Sequence, residues 1–193
     1  ARIVALYHYG GVYADNDVEL CKPLHQWNMN EPGIGLIVGI EECKACTAYS
    51  QYVMAAAPRH PAIKHVLDLI INNIRTERTT GHSYYEHLDW RKRILSRTGP
   101  IAVTKALEEY LSPYNVSLSW LCETPTPFRV PNSDILILPW ASIKSKQCQQ
   151  SPEYAVIVHH FEVKWVKQHK ALERQKRKSA KSLNHQKVPL GGK

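Results

Sequence analysis

The sequence predicts an α/β domain in which a mostly parallel sheet is flanked by helices. Three continuous apolar runs, at residues 34–40, 135–138 and 155–158, are typical of strands that are buried on both faces. Residues 61–74 and 100–111 instead carry apolar residues at helical spacing. Strands that alternate with helices in this way indicate a parallel sheet covered by helices.

The positive charge of the chain is concentrated at its C-terminal end. Residues 164–193 contain ten Lys or Arg and one acidic residue, whereas residues 1–163 contain fifteen basic and sixteen acidic residues. We therefore predict a folded domain over residues 1–168 and a basic, disordered tail over residues 169–193. The neutral body, and the absence of interleaved aromatic residues after Trp165, argue against a nucleic-acid partner. Contact of the tail with an anionic surface stays an alternative.

The first elements of the chain are predicted to be a short helix, a sharp turn and a short strand. Residues 2–9 form an amphipathic helical pattern. Gly10 and Gly11 supply the left-handed residue and the tight turn that end such a helix. Residues 12–14 then form a brief β-type run.

Two carboxylates, Asp15 and Asp17, follow this predicted strand. A spacing of two along an extended chain points both side chains the same way. Hard oxygen ligands beside a tight turn suit a divalent cation that keeps positions open for a phosphate-bearing substrate. An isolated Asp-x-Asp is commonly a solvated turn, but the helix, Gly-Gly and strand before it favour a metal site. Mn²⁺ is favoured over Ca²⁺ by the small number of carboxylates, and Mg²⁺ stays an alternative.

The segment Arg2 to Glu19, running on to Leu24, resembles the Asp-x-Asp core of glycosyltransferase family 32. Within that family it is most similar to the fungal Golgi initiation-specific α-1,6-mannosyltransferase group. The resemblance covers roughly residues 2–165. Its further motifs follow in the same order along the chain, at 35–41, 54–61, Thr98-Gly99-Pro100 with Thr104, 137–139, and His159-His160-Phe161 with Trp165.

The chain departs from the family pattern at three places. His25 stands where the family usually has Asp, and Val163-Lys164 replaces the Gly-Ser/Thr before the final Trp. The family's nucleotide-binding β-α-β segment and membrane anchor also lie upstream of the first helix here. The resemblance thus implies a GT-A-like fold that lacks part of the N-terminal nucleotide-binding β-α-β. It also implies a Golgi lumenal, type II membrane protein whose only membrane association is through the missing N-terminal anchor.

The activity implied by the resemblance is a metal-dependent hexosyl transfer. Mannose would move from GDP-mannose, the nucleotide-sugar donor, onto an N-glycan or mannan acceptor, with retention at the anomeric carbon. Asp15 and Asp17 are the expected catalytic and metal-binding residues. His159, at the end of a predicted strand, is expected to complete the metal shell or touch the diphosphate, with a packed histidine as the alternative. A truncated, inactive family member that acts as a binding protein, or has no activity, stays the second hypothesis.

The resemblance also implies donor-binding residues beyond the carboxylates and His159. Arg2 matches a family Arg near the donor nucleotide, with a solvated helix-end charge as its alternative. Tyr13 is expected to line the sugar pocket, although an aromatic residue beside a strand is commonly part of the core. Gly99 is expected to let backbone N–H groups at a helix start face the donor or acceptor. Its simpler interpretation is a tight turn before a helix.

The cysteines and one sequon bear on the compartment. Five cysteines are an odd number, and Cys43-x-x-Cys46 is half of a zinc-site pattern without a matching second half. Buried thiols or one disulfide in an oxidising lumen are the simpler expectation. The sequon Asn115-Val116-Ser117 is compatible with a secretory route.

Overall fold

The structure is a computed structural model, and it describes six ranges of the chain. These ranges are 1–27, 32–41, 48–81, 87–124, 126–138 and 156–160. Residues 1–160 group into one compact unit. In the described ranges, none of the helices is both long and apolar enough to cross a bilayer. The predicted tail lies outside the described residues, so the boundary at residue 168 stays a prediction.

Five α-helices lie in the described part of the chain, and short 3₁₀ turns follow residues 23 and 111. The helices are α1 (Arg2–Tyr9), α2 (Pro61–Thr80), α3 (Trp90–Arg97), α4 (Pro100–Leu111) and α5 (Leu118–Glu123). The helices predicted at 2–9 and 100–111 are confirmed.

Two helices go beyond the prediction, because residues 76–97 are polar, charged and aromatic without a clear apolar period and suggested only a surface segment. α2 continues to Thr80 and ends at Gly81, which adopts the left-handed conformation (φ 68°). α3 begins after Asp89, whose side chain accepts hydrogen bonds from the backbone N–H groups of Arg91 and Lys92. α3 presents a mostly charged surface, so no apolar period revealed it.

Seven strands form two sheets in the described residues. The strands are β1 (Gly11–Ala14), β2 (Val18–Leu20), β3 (Leu36–Glu41), β4 (Ala48–Ala56), β5 (Phe128–Arg129), β6 (Ile135–Leu138) and β7 (Ile157–His159). The larger sheet has the order β1-β4-β3-β6-β5, and β2 pairs with β7 in a second sheet.

The α/β class, with helices flanking a sheet, is confirmed, but the described sheet is mixed rather than mostly parallel. β3 and β6 are parallel, whereas the β1–β4, β3–β4 and β5–β6 pairs are antiparallel. The difference arises from β4 and β5, which the sequence analysis did not predict. The first four residues of β4, 48–51, mix small, polar and aromatic side chains, and the short apolar run at 52–56 was not interpreted as a strand. Apolar runs also report burial and carry no information on strand direction.

The larger sheet is buried on both faces, as its apolar runs predicted. Leu36, Val38 and Ile40 pack with the helices on one face. Ile37 faces the other side, where it packs with Trp27 and with residues of the β7 region. Because side chains alternate along a strand, a continuous apolar run supplies both faces.

An irregularity in β4 shapes the edge of the sheet beside β1. Val38 of β3 pairs with Met54, but Ile40 pairs with Tyr49, so residues 50–53 bulge away from β3. Such bulges are common beside functional sites, where they redirect side chains.

Candidate active site

The turn between α1 and β1 positions the site. The Gly10 backbone N–H donates to the carbonyl of Leu6 at 2.9 Å, and its φ of 65° is in the left-handed region. A Cβ atom at Gly10 would lie 2.6 Å from the Pro58 ring and 2.8 Å from the Ala56 carbonyl oxygen. Only glycine therefore allows the end of α1 to approach the end of β4 this closely. The predicted Gly10–Gly11 turn is confirmed.

Asp15 follows β1 and is held by two side chains that precede it. The Arg2 guanidinium lies 3.0 Å from Asp15 Oδ1, and the Tyr13 hydroxyl donates to the same carboxylate at 2.5 Å. The guanidinium also lies 5.0 Å from the centre of the Tyr13 ring, at cation–π distance. Burial, with the hydrogen bond to Asp15, raises the pKa of Tyr13 above its usual range. Tyr13 therefore stays a hydrogen-bond donor at neutral pH.

Asp17 lies two residues further on and has a different partner, His159. The His159 Nε2 atom is 3.3 Å from Asp17 Oδ1, and the two side chains are 10% and 15% exposed. The backbone N–H of His160 also donates to the Asp17 carbonyl at 2.9 Å, beside the β2–β7 pairing that sets Val18 opposite His159. Burial lowers the pKa of His159, and the negative charges of Asp17 and Asp15 oppose this shift.

The prediction that extended geometry aligns the two carboxylates is wrong in its mechanism. Residues 16 and 17 lie in a turn, which the Val18 N–H closes by donating to the Asp15 carbonyl at 3.2 Å. The carboxylates are nonetheless close enough for both to act electrostatically on Tyr13 and on His159. A turn, and not a strand, therefore brings the two charges to one site.

Two residues of the β4 bulge complete the site, and the sequence analysis missed both. The Gln51 carbonyl accepts from Arg2 Nη1 at 3.1 Å, and the Tyr52 carbonyl accepts from the Asp15 N–H at 2.7 Å. The Tyr52 ring stacks on His159, with ring centres 4.0 Å apart and planes 20° from parallel. Burial, with a contribution from Glu41, raises the pKa of Tyr52. Nothing in the sequence signals this role, because it depends on the bulge.

The donor atoms at the site fit a hard divalent cation with an incomplete protein shell. Asp17 and His159 supply an adjacent carboxylate and imidazole, and Asp15 adds a second carboxylate nearby. Within the described ranges, no three or more His, Cys, Asp or Glu side chains are grouped closely enough to hold a metal ion by themselves. Few protein ligands, with positions left for water and phosphate, are typical of Mg²⁺ and Mn²⁺ sites that bind nucleotides.

Gly99 is the one predicted site residue whose described contacts lie away from the Asp15–Asp17 cluster. It is buried at the N-terminal end of α4, and its N–H donates to the Leu95 carbonyl at 3.1 Å. A Cβ atom there would lie 2.6 Å from Leu95 Cα, so glycine is required by the close approach of α3 and α4. The tight-turn interpretation accounts for these contacts, and a role in donor binding stays a prediction.

His60, part of a family-like segment, has a structural role. Its Nδ1 atom accepts from the Ala62 N–H at 3.2 Å, and its Nε2 atom lies 3.1 Å from Asp134 Oδ2. The buried imidazole therefore caps α2 and connects the cap to the start of β6.

Two cysteines, Cys21 and Cys122, are disulfide-bonded. The Cys43-x-x-Cys46 pattern, Cys148, and the family-like residues from 161 to 165 lie outside the described residues.

One comparison with known protein families matches the N-terminal part of the chain. Residues 1–34 match the family described as "Glycosyltransferase sugar-binding region containing DXD motif". This match includes Arg2, Tyr13, Asp15 and Asp17, but not His159. A search of curated proteins found no match.

A solved structure titled "PaToxG Glycosyltransferase" is similar to this chain at 23% sequence identity, with a TM-score of 0.40. The match covers 59% of this chain and 35% of that chain, so this chain spans about a third of the length of the structure that it matches. The family match lies at the N-terminal end of the chain, over the segment that contains the Asp-x-Asp pattern.

Proposed function

We propose that this chain is part of the catalytic domain of a metal-dependent glycosyltransferase. The observation that carries the proposal is the cluster in which Asp15 contacts Arg2 and Tyr13 while Asp17 contacts His159. Four of these five residues lie within the matched sugar-binding region. The reaction is the transfer of a hexose from a nucleotide-sugar donor onto a glycan acceptor, with retention.

The proposed donor is GDP-mannose and the proposed acceptor is an N-glycan or mannan. The sequence resemblance to the fungal α-1,6-mannosyltransferase group supports this choice, and it also supports a GT-A-like arrangement for the complete domain. We further propose that the protein acts in the Golgi lumen. The disulfide bonds at Cys21 and Cys122 support an oxidising compartment.

Arg2 is suited to bind the donor's diphosphate. In the described contacts its Nη1 atom donates hydrogen bonds to both the Asp15 carboxylate and the Gln51 carbonyl. The Nη2 and Nε donors are therefore left for an anionic ligand. The side chain is 31% exposed, so a ligand can reach it. Asp15 and Gln51 hold the guanidinium in place before the donor arrives, which lowers the ordering cost of binding.

Asp17 and His159 are the residues that would hold the metal, with Asp15 acting directly or through water. A bound divalent ion stabilises the negative charge that develops on a diphosphate leaving group. The stack on Tyr52 fixes the plane of the His159 ring, and the low exposure of both side chains limits competition from water. Retention does not require a strong general base among these residues.

The metal assignment is tested by titrating Mn²⁺ into the chain and measuring heat. We expect binding that Asp17→Ala abolishes and that Asp68→Ala leaves unchanged. Asp68 is a matched control because its carboxylate is exposed on α2, 2.6 Å from the Lys64 ammonium. An unchanged Mn²⁺ affinity in the double variant Asp15→Ala/Asp17→Ala would refute the site.

The donor assignment is tested with a version of the protein joined to a nucleotide-binding β-α-β segment. We expect that version to hydrolyse or transfer from GDP-mannose, and the 193-residue chain to be at least about a hundredfold slower, because donor positioning supplies several kcal/mol of the barrier reduction. A preference for a UDP-sugar would contradict the mannosyl assignment and leave the transferase class intact. Ordinary enzymatic rates from the chain alone would contradict the need for the added segment.

A further inference from the structure

The segment Asn115-Val116-Ser117 forms an exposed turn between α4 and α5. Asn115 has φ 54° and ψ 33°, and its N–H donates to the Ser112 carbonyl at 3.2 Å. Asn115 and Ser117 are exposed, whereas Val116 is half-buried and the next residue, Leu118, is buried in the core. Asn tolerates the left-handed conformation better than most residues. The turn therefore directs the asparagine side chain into solvent while its neighbours anchor the backbone.

We propose that Asn115 is an N-glycosylation site that is occupied in the lumen of the secretory pathway. The Asn-x-Ser pattern is the acceptor for an oligosaccharide carried on a lipid diphosphate. In the transfer, the Nδ2 atom of Asn115 forms a bond to the anomeric carbon, and the bond from that carbon to the diphosphate oxygen breaks. The amide loses one proton, and the lipid diphosphate leaves with the electron pair. No oxidant or reductant is required.

The disulfide bonds at Cys21 and Cys122 support the same compartment independently of the sequon. Disulfides form and persist in the oxidising lumen where this modification takes place. The inference rests on the proposed lumenal location, and it does not depend on the transferase activity.

The position of Asn115 leaves the candidate active site clear of the added glycan. Asp15 follows the end of β1, which runs in the same direction as β3 and β6, because β1 and β3 are both antiparallel to β4. The C-terminal end of α4 lies at the opposite edge of the sheet. There Glu109 is 3.3 Å from His65 near the start of α2, and His60, the residue that caps α2, contacts Asp134 just before β6.

The proposal is tested by translating the full chain, behind a cleavable signal sequence, in the presence of sealed microsomes. The glycan is assayed only on chains that added protease does not digest, because these chains have entered the lumen of the microsomes. We expect the wild-type chain and Ser117→Thr to show a slower band that an amide-cleaving glycosidase removes. Asn115→Asp and Ser117→Ala should not show it. Asn115→Asp is the matched variant, because Asp also tolerates the left-handed conformation, whereas Ser117→Ala additionally removes the cap of α5.

A second acceptor pattern provides the internal control. Gln186→Thr places a sequon at Asn184, within the predicted tail, and should add a second glycosidase-sensitive band. If protease-protected Gln186→Thr chain carries a single glycan, and this glycan is still present when Asn115→Asp is added, the glycan is at Asn184 and the proposal is overturned. Protected wild-type and Ser117→Thr chains that both lack a glycan would overturn it as well. Removing the glycan should leave the Mn²⁺ affinity unchanged, and this affinity also tests the proposed transferase site separately.

Discussion

Replacing Arg2 with alanine should change metal and nucleotide binding in opposite directions. The guanidinium lies 3.0 Å from an Asp15 carboxylate oxygen, and the two side chains are 31% and 26% exposed. In the protein without nucleotide, the positive charge of Arg2 therefore makes the potential around Asp15 less negative and less attractive to a cation. With a diphosphate present, the same guanidinium is available to bind the phosphate oxygens. Arg2→Ala should thus strengthen Mn²⁺ binding without nucleotide and weaken GDP binding.

The magnitude follows from the separation and the exposure of the two charges. Two unit charges 3.0 Å apart interact by roughly 1.4 kcal/mol at the dielectric constant of water and by roughly 5.5 kcal/mol at an effective value of 20. Partly exposed pairs are screened, and measured values for exposed pairs reach about 1 kcal/mol. We therefore expect about a fivefold gain in Mn²⁺ affinity. The loss of a charge-assisted hydrogen bond to phosphate should weaken GDP binding by at least about tenfold.

Calorimetric titrations of Mn²⁺ alone, and of GDP in saturating Mn²⁺, measure both effects. Arg93→Ala is the matched control, because it removes one positive charge from the exposed surface of α3. If Arg2→Ala and Arg93→Ala behave alike in both titrations, the effect of Arg2 is one of net charge alone. A weaker Mn²⁺ affinity in Arg2→Ala would show that Arg2 positions Asp15 for the metal and does not compete with it.

Three further predictions concern the stability of the fold. His60→Ala should lower the free energy of unfolding, measured by urea denaturation, by about 1–2 kcal/mol through loss of the α2 cap. His60→Asn should recover part of this loss, and equal losses in both variants would contradict the capping role. Burial raises the pKa of Tyr49, so the folded protein holds the phenol proton more tightly than the unfolded chain does. The stability that this preference contributes is complete below pH 10.0 and is lost as the pH rises towards the folded-state pKa. Tyr49→Phe should therefore reduce the alkaline loss of stability, and an unchanged slope in melts above pH 10.0 would argue against it. Deleting residues 170–193 should leave the melting temperature and the metal site unchanged, because the apolar residues of this segment are too sparse to form an apolar face that packs on the domain. A large drop in melting temperature would show that the segment is part of the folded domain.

Much of the N-terminal half of the site could be predicted from the sequence. The helix of residues 2–9, the turn at Gly10 and Gly11, and the strand before Asp15 each follow from side chains within a few positions of one another. Caps, turns and apolar periods are local effects, so the chain itself specifies them. The same locality explains why the helix at 100–111 was predicted correctly.

The second half of the site depends on contacts between distant parts of the chain. Asp17 and His159 meet because β2 pairs with β7, and neither strand's sequence identifies its partner. Gln51 and Tyr52 enter the site through the β4 bulge, where one strand has several residues for a single residue of its neighbour. A bulge is a property of a strand pair, so a single segment carries no sign of it.

The sequence by itself determined the first helix, the Gly10–Gly11 turn, the strand before Asp15 and the residues chemically suited to bind a metal, because neighbouring residues decide local backbone conformation and residue chemistry decides which ions can bind. Only the tertiary structure decided that the described sheet is mixed, that Asp15 is held by Arg2 and Tyr13, and that His159 stacks on Tyr52 beside Asp17. These features require strand order, direction and register. Several strand arrangements can bury the same apolar runs, and packing of the whole chain selects among them.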